Sequence, residues 1–396
     1  MKSSATSSAA ALNFATVAVY ADLYITQPIL PLMSREFSVG PAAAGLTISV
    51  VVLMIAFVSS FYGSLSDRMG RKPVMAASCA LLAVPTALCG LASSFHALLV
   101  FRALQGLLMP GVTAVAVAYI GDFASEADLG PRVGGWIAAS VAGGLIGRVL
   151  SGLLAAATNW RLPFFVFAGT TLLGAAALAL GLPRGPGAES ARLGDAYRGM
   201  LGHFRDRRLI GAFVIGATVF FSFIGVFTYL PYYLTAPPFH LSTALVSSVY
   251  VVYLAGVFTS VISGRLSARA GRRALMAVGL AVAGAGILLT LVPSLPAIVA
   301  ALVVLCVGMF TVQSTAPAFV NAHAERAKGA AGALYVTFYY VGASLGSLLP
   351  GLAWQRRGWP GVVACCVGAL LVGLAADALL CGPPRPLSGA VERGRY

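Results

Sequence analysis

The chain has 396 residues, 59% of them hydrophobic and only 10% charged, with a mean hydropathy of +0.90. Soluble domains carry about 25% charged residues, so this composition places the chain in a membrane. The net charge of +14 would suggest nucleic acid as the partner of a soluble protein; in a membrane protein it reads as basic loops on the cytoplasmic side, and no nucleic-acid partner is expected.

A spanning helix needs about 20 apolar residues. Charge, Gly and Pro punctuate the chain into twelve such runs: 11–32, 41–64, 73–94, 97–119, 132–157, 161–182, 209–235, 243–264, 273–293, 295–319, 329–352 and 359–381. They use nearly the whole length and leave no soluble domain. Barrel strands are excluded, because the runs are about twice the length of a ~10-residue membrane strand. The first run continues to Pro31 without a clear cleavage site, so it is expected to stay as a span. With the N-terminus placed inside, twenty Lys and Arg fall on the inner side. Four, Arg35, Arg161, Arg356 and Arg357, fall outside, and Arg102 and Arg148 lie within spans. That bias predicts cytoplasmic termini.

Residues 183–208 are rich in Gly, Pro and Arg and read as a cytoplasmic linker between an N-terminal bundle, 1–182, and a C-terminal bundle, 209–381. Residues 382–396 read as a disordered tail. The cysteines (Cys79, Cys89, Cys306, Cys365, Cys366 and Cys381) sit in or at the ends of apolar runs. They read as small buried hydrophobes rather than disulfides or metal ligands, and neither metal nor cofactor is expected.

The two halves repeat. "GSLSDRMGRKPVM" at 63–75 and "GRLSARAGRRALM" at 264–276 share seven of thirteen positions, with Asp67 replaced by Ala268. "GGLIGRVLSG" at 143–152 matches "GASLGSLLPG" at 342–351, and Trp160 matches Trp359. Six spans per half give repeats of the same orientation, with a solute site between them near the midplane. The expected fold is an all-α membrane protein of twelve transmembrane helices in two pseudo-symmetric six-helix bundles.

Residues 63–72 resemble the signature loop of the major facilitator superfamily, G-x-L-[SA]-D-R-x-G-R-[KR], and "RALQG" at 102–106 resembles its R-x-x-Q-G motif. "QPILPLM" in span one and "GGLIGR" in span five resemble bacterial YnfM and arabinose-efflux-type permeases, near the twelve-helix drug/proton antiporter branch. One departure concerns span five. Gly143, Gly144 and Gly147 are present, but the proline of the antiporter motif is missing and Arg148 intrudes. The resemblance implies a gate built from Gly63, Asp67, Arg68, Gly70, Arg71 and Asp122. In the family the acid at Asp67 contacts the inner end of span eleven across the halves, and only when the inner side is closed. The glycines of spans five and eleven follow a small-xxx-small pattern that permits close helix approach, and the halves are expected to rock across these helices.

Ionisable residues within spans are costly and are functional candidates by default. Asp22, Arg102 and Arg148 qualify; Asp377 lies near a span end and is expected to reach the interface. Asp22 is expected to carry a proton, with Arg102 or Arg148 as its switching partner. The alternative is a fixed buried pair that serves packing. Candidate substrate contacts on the cavity-lining spans are Tyr20, Tyr24, Gln27, Phe220, Phe227, Tyr229 and Gln313, with Tyr335 and Tyr339 on span eleven. Such aromatics suit an amphipathic or ring-bearing solute.

The expected function is secondary active transport of a small organic solute, as proton-coupled efflux by a monomer in the bacterial inner membrane. Proton-coupled uptake or anion exchange is the alternative. An integral membrane enzyme is disfavoured, because no nucleophile–base pair, metal cluster or phosphate loop is evident in the sequence.

Overall fold

The computed structural model describes residues 2–183, 202–324 and 328–382. Most of the expected linker and all but the start of the expected tail lie outside these residues. All regular secondary structure among the described residues is helical. Among the described residues eleven helices are long and apolar enough to cross a membrane, and the last of them, Gly329–Leu380, is long enough for two crossings. It is interrupted at Gly358, whose φ of 60° and ψ of −144° are accessible to glycine and strained for other residues. Twelve spans result.

Short polar residues start many of these helices. Ser94, Ser125, Asp206 and Ser242 each accept a hydrogen bond from an amide of the first turn of spans four, five, seven and eight, which relieves amides that have no intrahelical partner. Pro41, Pro163 and Pro296 occupy the first turns of spans two, six and ten, where a missing N–H costs nothing. Spans two and three, Pro41–Met69 and Arg71–Leu91, meet at Gly70 with φ 88°; spans eight and nine meet at Gly271 with φ 81°. The two copies of the repeated loop thus turn through the same glycine conformation.

Three spans expected to be continuous are broken. Span one is Lys2–Leu23, a turn at 24–26, then Gln27–Ile29 and Leu30–Glu36. Pro28 has no N–H to continue the ladder there. Span four is Phe95–Leu108, Pro110–Thr113 and Ala116–Phe123, with Pro110 at its first break. Span eight is Thr243–Val249, Tyr250–Val252 and Tyr253–Ala270.

The glycines of spans five and eleven seat helices inside each half, not between halves as expected. A methyl group at Gly143 or Gly147 would strike the backbone of Val17 or Ala21 in span one; one at Gly342 or Gly346 would strike Ala217 or Phe221 in span seven. The contact between halves lies further along span five, where Gly152 meets Ser247 of span eight.

The halves are joined at one end. Ser34 bonds to the Tyr232 hydroxyl at 2.6 Å, Gln27 Nε2 donates to Thr228 Oγ1 at 3.3 Å, and Ser49 pairs with Ser344 at 2.6 Å. Gly45 lies against the backbone of Ser347, and Gly351 against Ala42. At the other end, which carries the basic 2–3 and 8–9 loops, Gly63, Gly121, Gly134, Gly264, Gly329 and Gly332 have open space where a side chain would be. The molecule is closed at one end and parted at the basic end. Asp377, near the end of its span, is buried and pairs with Arg273, which follows the 8–9 loop, at 3.3 Å.

Candidate functional site

Among the gate residues, Arg71 organises the contacts. Its guanidinium reaches Asp122 at 2.5 Å and Asp67 at 3.6 Å, and donates to the carbonyl of Ala118. All these partners lie in the first half. Among the described residues Asp67 makes no bond to span eleven, as suits the parted end, and Arg68 is exposed.

Asp22 is fully buried. Its carboxylate accepts from Thr86 Oγ1 at 2.5 Å and from Gln105 Nε2 at 3.0 and 3.2 Å, while Gln105 also donates to Thr86 at 2.8 Å. The carboxylate thus faces spans three and four inside the first half. The expected direct pairing with an arginine is not what the structure has: no Arg or Lys nitrogen lies within ion-pair distance of it among the described residues.

Arg102 is occupied by backbone instead. Its nitrogens donate to the carbonyls of Leu23 at 2.8 Å, Thr47 at 2.9 Å and Asp22 at 3.3 Å, and to Gln105 Oε1 at 2.8 Å. The reason lies in the break of span one. Carbonyls at the end of a helix lack intrahelical partners and carry the negative end of its dipole; Arg102 caps those of Asp22 and Leu23 and anchors to span two through Thr47. In the R-x-x-Q-G motif the arginine therefore holds the helix end beneath Asp22, and the glutamine holds the carboxylate.

Arg148 faces the other way. Nε donates to Gln27 Oε1 at 2.5 Å and Nη1 to the Gly144 carbonyl at 2.6 Å. The guanidinium lies over the Tyr24 ring at 3.7 Å and the Tyr253 ring at 4.6 Å, a cation–π arrangement strengthened by removal from water. Its partners come from both halves.

Above it lies a cavity of about 120 Å³ between the halves. Tyr20, Tyr24, Ser140 and Arg148 line it from the first half; Phe220, Phe223, Tyr253, Phe310, Gln313, Tyr339 and Tyr340 line it from the second. Phe220 and Tyr339 stack with ring centroids 3.7 Å apart. Five expected contacts, Tyr20, Tyr24, Phe220, Gln313 and Tyr339, thus form the wall together. Four do not line it. Gln27 is spent on Arg148 and Thr228. Phe227 is fully buried behind Tyr250 and Tyr253. Tyr229 donates to the Ser347 carbonyl at 2.6 Å and ties span seven to span eleven. Tyr335 is packed against Gly216. Sequence reasoning missed Thr86, Tyr253 and Phe310, for one reason: spans three, eight and ten offer several equally spaced polar or aromatic residues, and spacing alone does not tell which one faces inward.

Twelve spans in two like-oriented bundles, around a central cavity closed at one end, define a membrane carrier. The sequence comparisons agree. The profile of the Major Facilitator Superfamily matches residues 12–347 and 236–395. The inner membrane transport protein YnfM of Escherichia coli (strain K12) is 35% identical over 94% of this chain and 88% of its own length. The uncharacterized MFS-type transporter YybF of Bacillus subtilis (strain 168) is 33% identical over 90% of this chain and 88% of its own. A bacterial homologue of the human lysosomal transporter Spinster, in an inward-facing and unoccupied conformation, superposes with a TM-score of 0.76 at 19% identity, over 96% of this chain and 95% of its own. The nucleoside transporter NupG superposes with a TM-score of 0.78 at 13% identity, over 94% and 98%. The chain belongs to the major facilitator superfamily. It is a multi-pass membrane transporter, of a class that is not enzymatic.

Proposed function

We propose that the protein exports a small organic solute in exchange for protons, by alternating access in the bacterial inner membrane, as a monomer with cytoplasmic termini. The observation that carries this reading is the central cavity, whose walls come from both halves while bonds between the halves gather at one end. On this reading residues 1–182 and 209–381 rock as units, and the parted end faces the cytoplasm. The inward-facing form of the Spinster homologue supports the assignment, as does the basic character of that end. The gate of Asp67, Arg71 and Asp122 closes when the basic ends meet.

Asp22 is the proton site in this cycle. A buried ionised carboxylate is costly unless charge or hydrogen bonds compensate, and here Thr86 and Gln105 supply neutral donors. The site is linked to the moving parts through span one. Asp22 precedes the break at 24–26, and Gln27 beyond it bonds both Arg148 and Thr228 of the other half. Opening the closed end breaks the bond to Thr228, and the hinge beside Asp22 must adjust. Arg102 acts as a positioning residue, by holding the carbonyls of that hinge.

The test is flux in proteoliposomes under an imposed pH gradient. Wild-type protein should move solute against its gradient. Asp22→Asn should lose this while keeping downhill exchange. Full proton-driven accumulation by Asp22→Asn would rule out the site. Exchange that ignores the pH gradient in the wild type would favour an anion exchanger instead.

A further inference from the structure

The buried positive charge of Arg148 has no negative partner. It is 2% exposed and lines the cavity. Two of its nitrogens serve Gln27 Oε1 and the Gly144 carbonyl. Nη2 has no further acceptor with hydrogen-bond geometry among the described residues, and the side chain lines the cavity. No carboxylate among the described residues is within ion-pair distance, and the cavity wall contains no acid. Asp22, the nearby acid on span one, is turned into the first half and held by Thr86 and Gln105. A charge in the membrane interior is costly, and a protein that needed only a packed side chain there has a neutral solution at hand. The equivalent position of the second half is Ser347, which bonds to Ser344.

Around Arg148 the wall is aromatic. Phe220 stacks on Tyr339, and Phe223 meets Tyr253 and Phe310 edge-on with centroids 5.0 and 6.2 Å apart. Gln313 adds one neutral donor and acceptor. An apolar cavity of about 150 Å³ encloses benzene; this one, of about 120 Å³, is smaller but open on one side, so it seats the face of a single ring without enclosing it.

We propose that this cavity takes a single-ring organic anion, with its carboxylate on Nη2 of Arg148 and its ring against the Phe220–Tyr339 wall. The proposal names the solute of the carrier described above and rests on that reading. A cation of the same shape meets uncompensated like charge and is excluded; a neutral analogue fits but leaves the guanidinium unpaired. Charge-assisted bonds from guanidinium to carboxylate are about twice as strong as neutral ones, so the preference for the anion should be large.

The experiment uses the purified full-length protein and three probes of one shape: benzoate, benzyl alcohol and benzylamine, at neutral pH. Calorimetry should find benzoate at least tenfold tighter than benzyl alcohol, with no detectable benzylamine binding. Arg148→Gln should lose at least tenfold in benzoate affinity and leave benzyl alcohol unchanged, and Arg148→Lys should restore part of the preference. Equal binding of the three probes by wild-type protein, or a preference for benzylamine, would overturn the proposal. So would unchanged benzoate affinity in Arg148→Gln. Should Arg148→Gln fail to purify as a single species, the wild-type series decides alone. Protein-dependent flux of radiolabelled benzoate, with empty liposomes as blank, separates the two readings. Benzoate that binds and is not moved upholds the site and overturns the carrier reading. Gradient-driven flux of benzylamine upholds the carrier and overturns the anion site.

Discussion

In the first half Gly147 of span five lies on Ala21 of span one; in the second, Gly346 of span eleven lies on Phe221 of span seven. The residues that follow these four are Arg148 and Asp22 in one half, Ser347 and Ser222 in the other. The joint is the same and its chemistry differs. Asp22 reaches Thr86 and Gln105 on spans three and four, whereas Ser222 donates to the carbonyls of Thr218 and Cys366 at 2.9 and 2.8 Å. Arg148 points across to Tyr253, whereas Ser347 folds back on its own helix and lends its carbonyl to Tyr229. The same backbone joint carries a serine pair in one half and an acid and a base in the other. The charges are therefore not required by the fold, and their use must be sought in the work of the first half.

This comparison can be broken most severely at the joint itself. Gly147→Leu and Gly346→Leu should each abolish folded protein, because backbone atoms cannot retreat and overpacking here costs about 3 kcal/mol or more. Yield and gel filtration in detergent are the readout, and survival of only one variant would mean that the joints are not equivalent. A smaller effect is expected at the gate, where the halves differ by Asp67 against Ala268. Asp67→Asn should favour the form parted at the basic end by about threefold, the ~0.7 kcal/mol typical of one exposed ion contact. Thiol labelling of a cysteine placed at Gly134 would measure it, and labelling equal to that of the parent would remove Asp67 from the gate. The smallest effect on transport should come from Tyr229→Phe, which removes one hydrogen bond to Ser347 worth about 1 kcal/mol of stability. An apparent melting temperature lowered by about 2 °C, with proton-driven flux intact, is expected. A loss of flux would return Tyr229 to the transport site.

Much of the site was legible as chemistry and little of it as geometry. Asp22, Arg102 and Arg148 stand out because charge in an apolar run is expensive wherever the run goes. Their pairing did not follow from their positions along the spans, since residues at one level of the membrane can face opposite sides of a helix. Asp22 and Arg148 lie in adjacent packed spans, yet one faces the interior of its bundle and the other the gap between bundles. Gln105 was visible in the motif, but its bond to the Asp22 carboxylate depends on the break in span one. Tyr229 and Phe227 had the composition of a binding wall and proved to be packing.

The sequence by itself determined the number of spans and the repeat, because apolar length and basic loops are local quantities that the bilayer reads residue by residue. It also marked the close-approach glycines and the signature turn, where only a missing side chain or a positive φ will do. Only the tertiary structure decided what each glycine approaches, which carbonyls Arg102 caps, and which face of each span meets the cavity. These are matters of helix rotation and of where a helix breaks. Both are set by the summed packing of neighbouring spans, and that packing placed the carboxylate of Asp22 among neutral donors and the guanidinium of Arg148 between aromatic rings at the cavity wall.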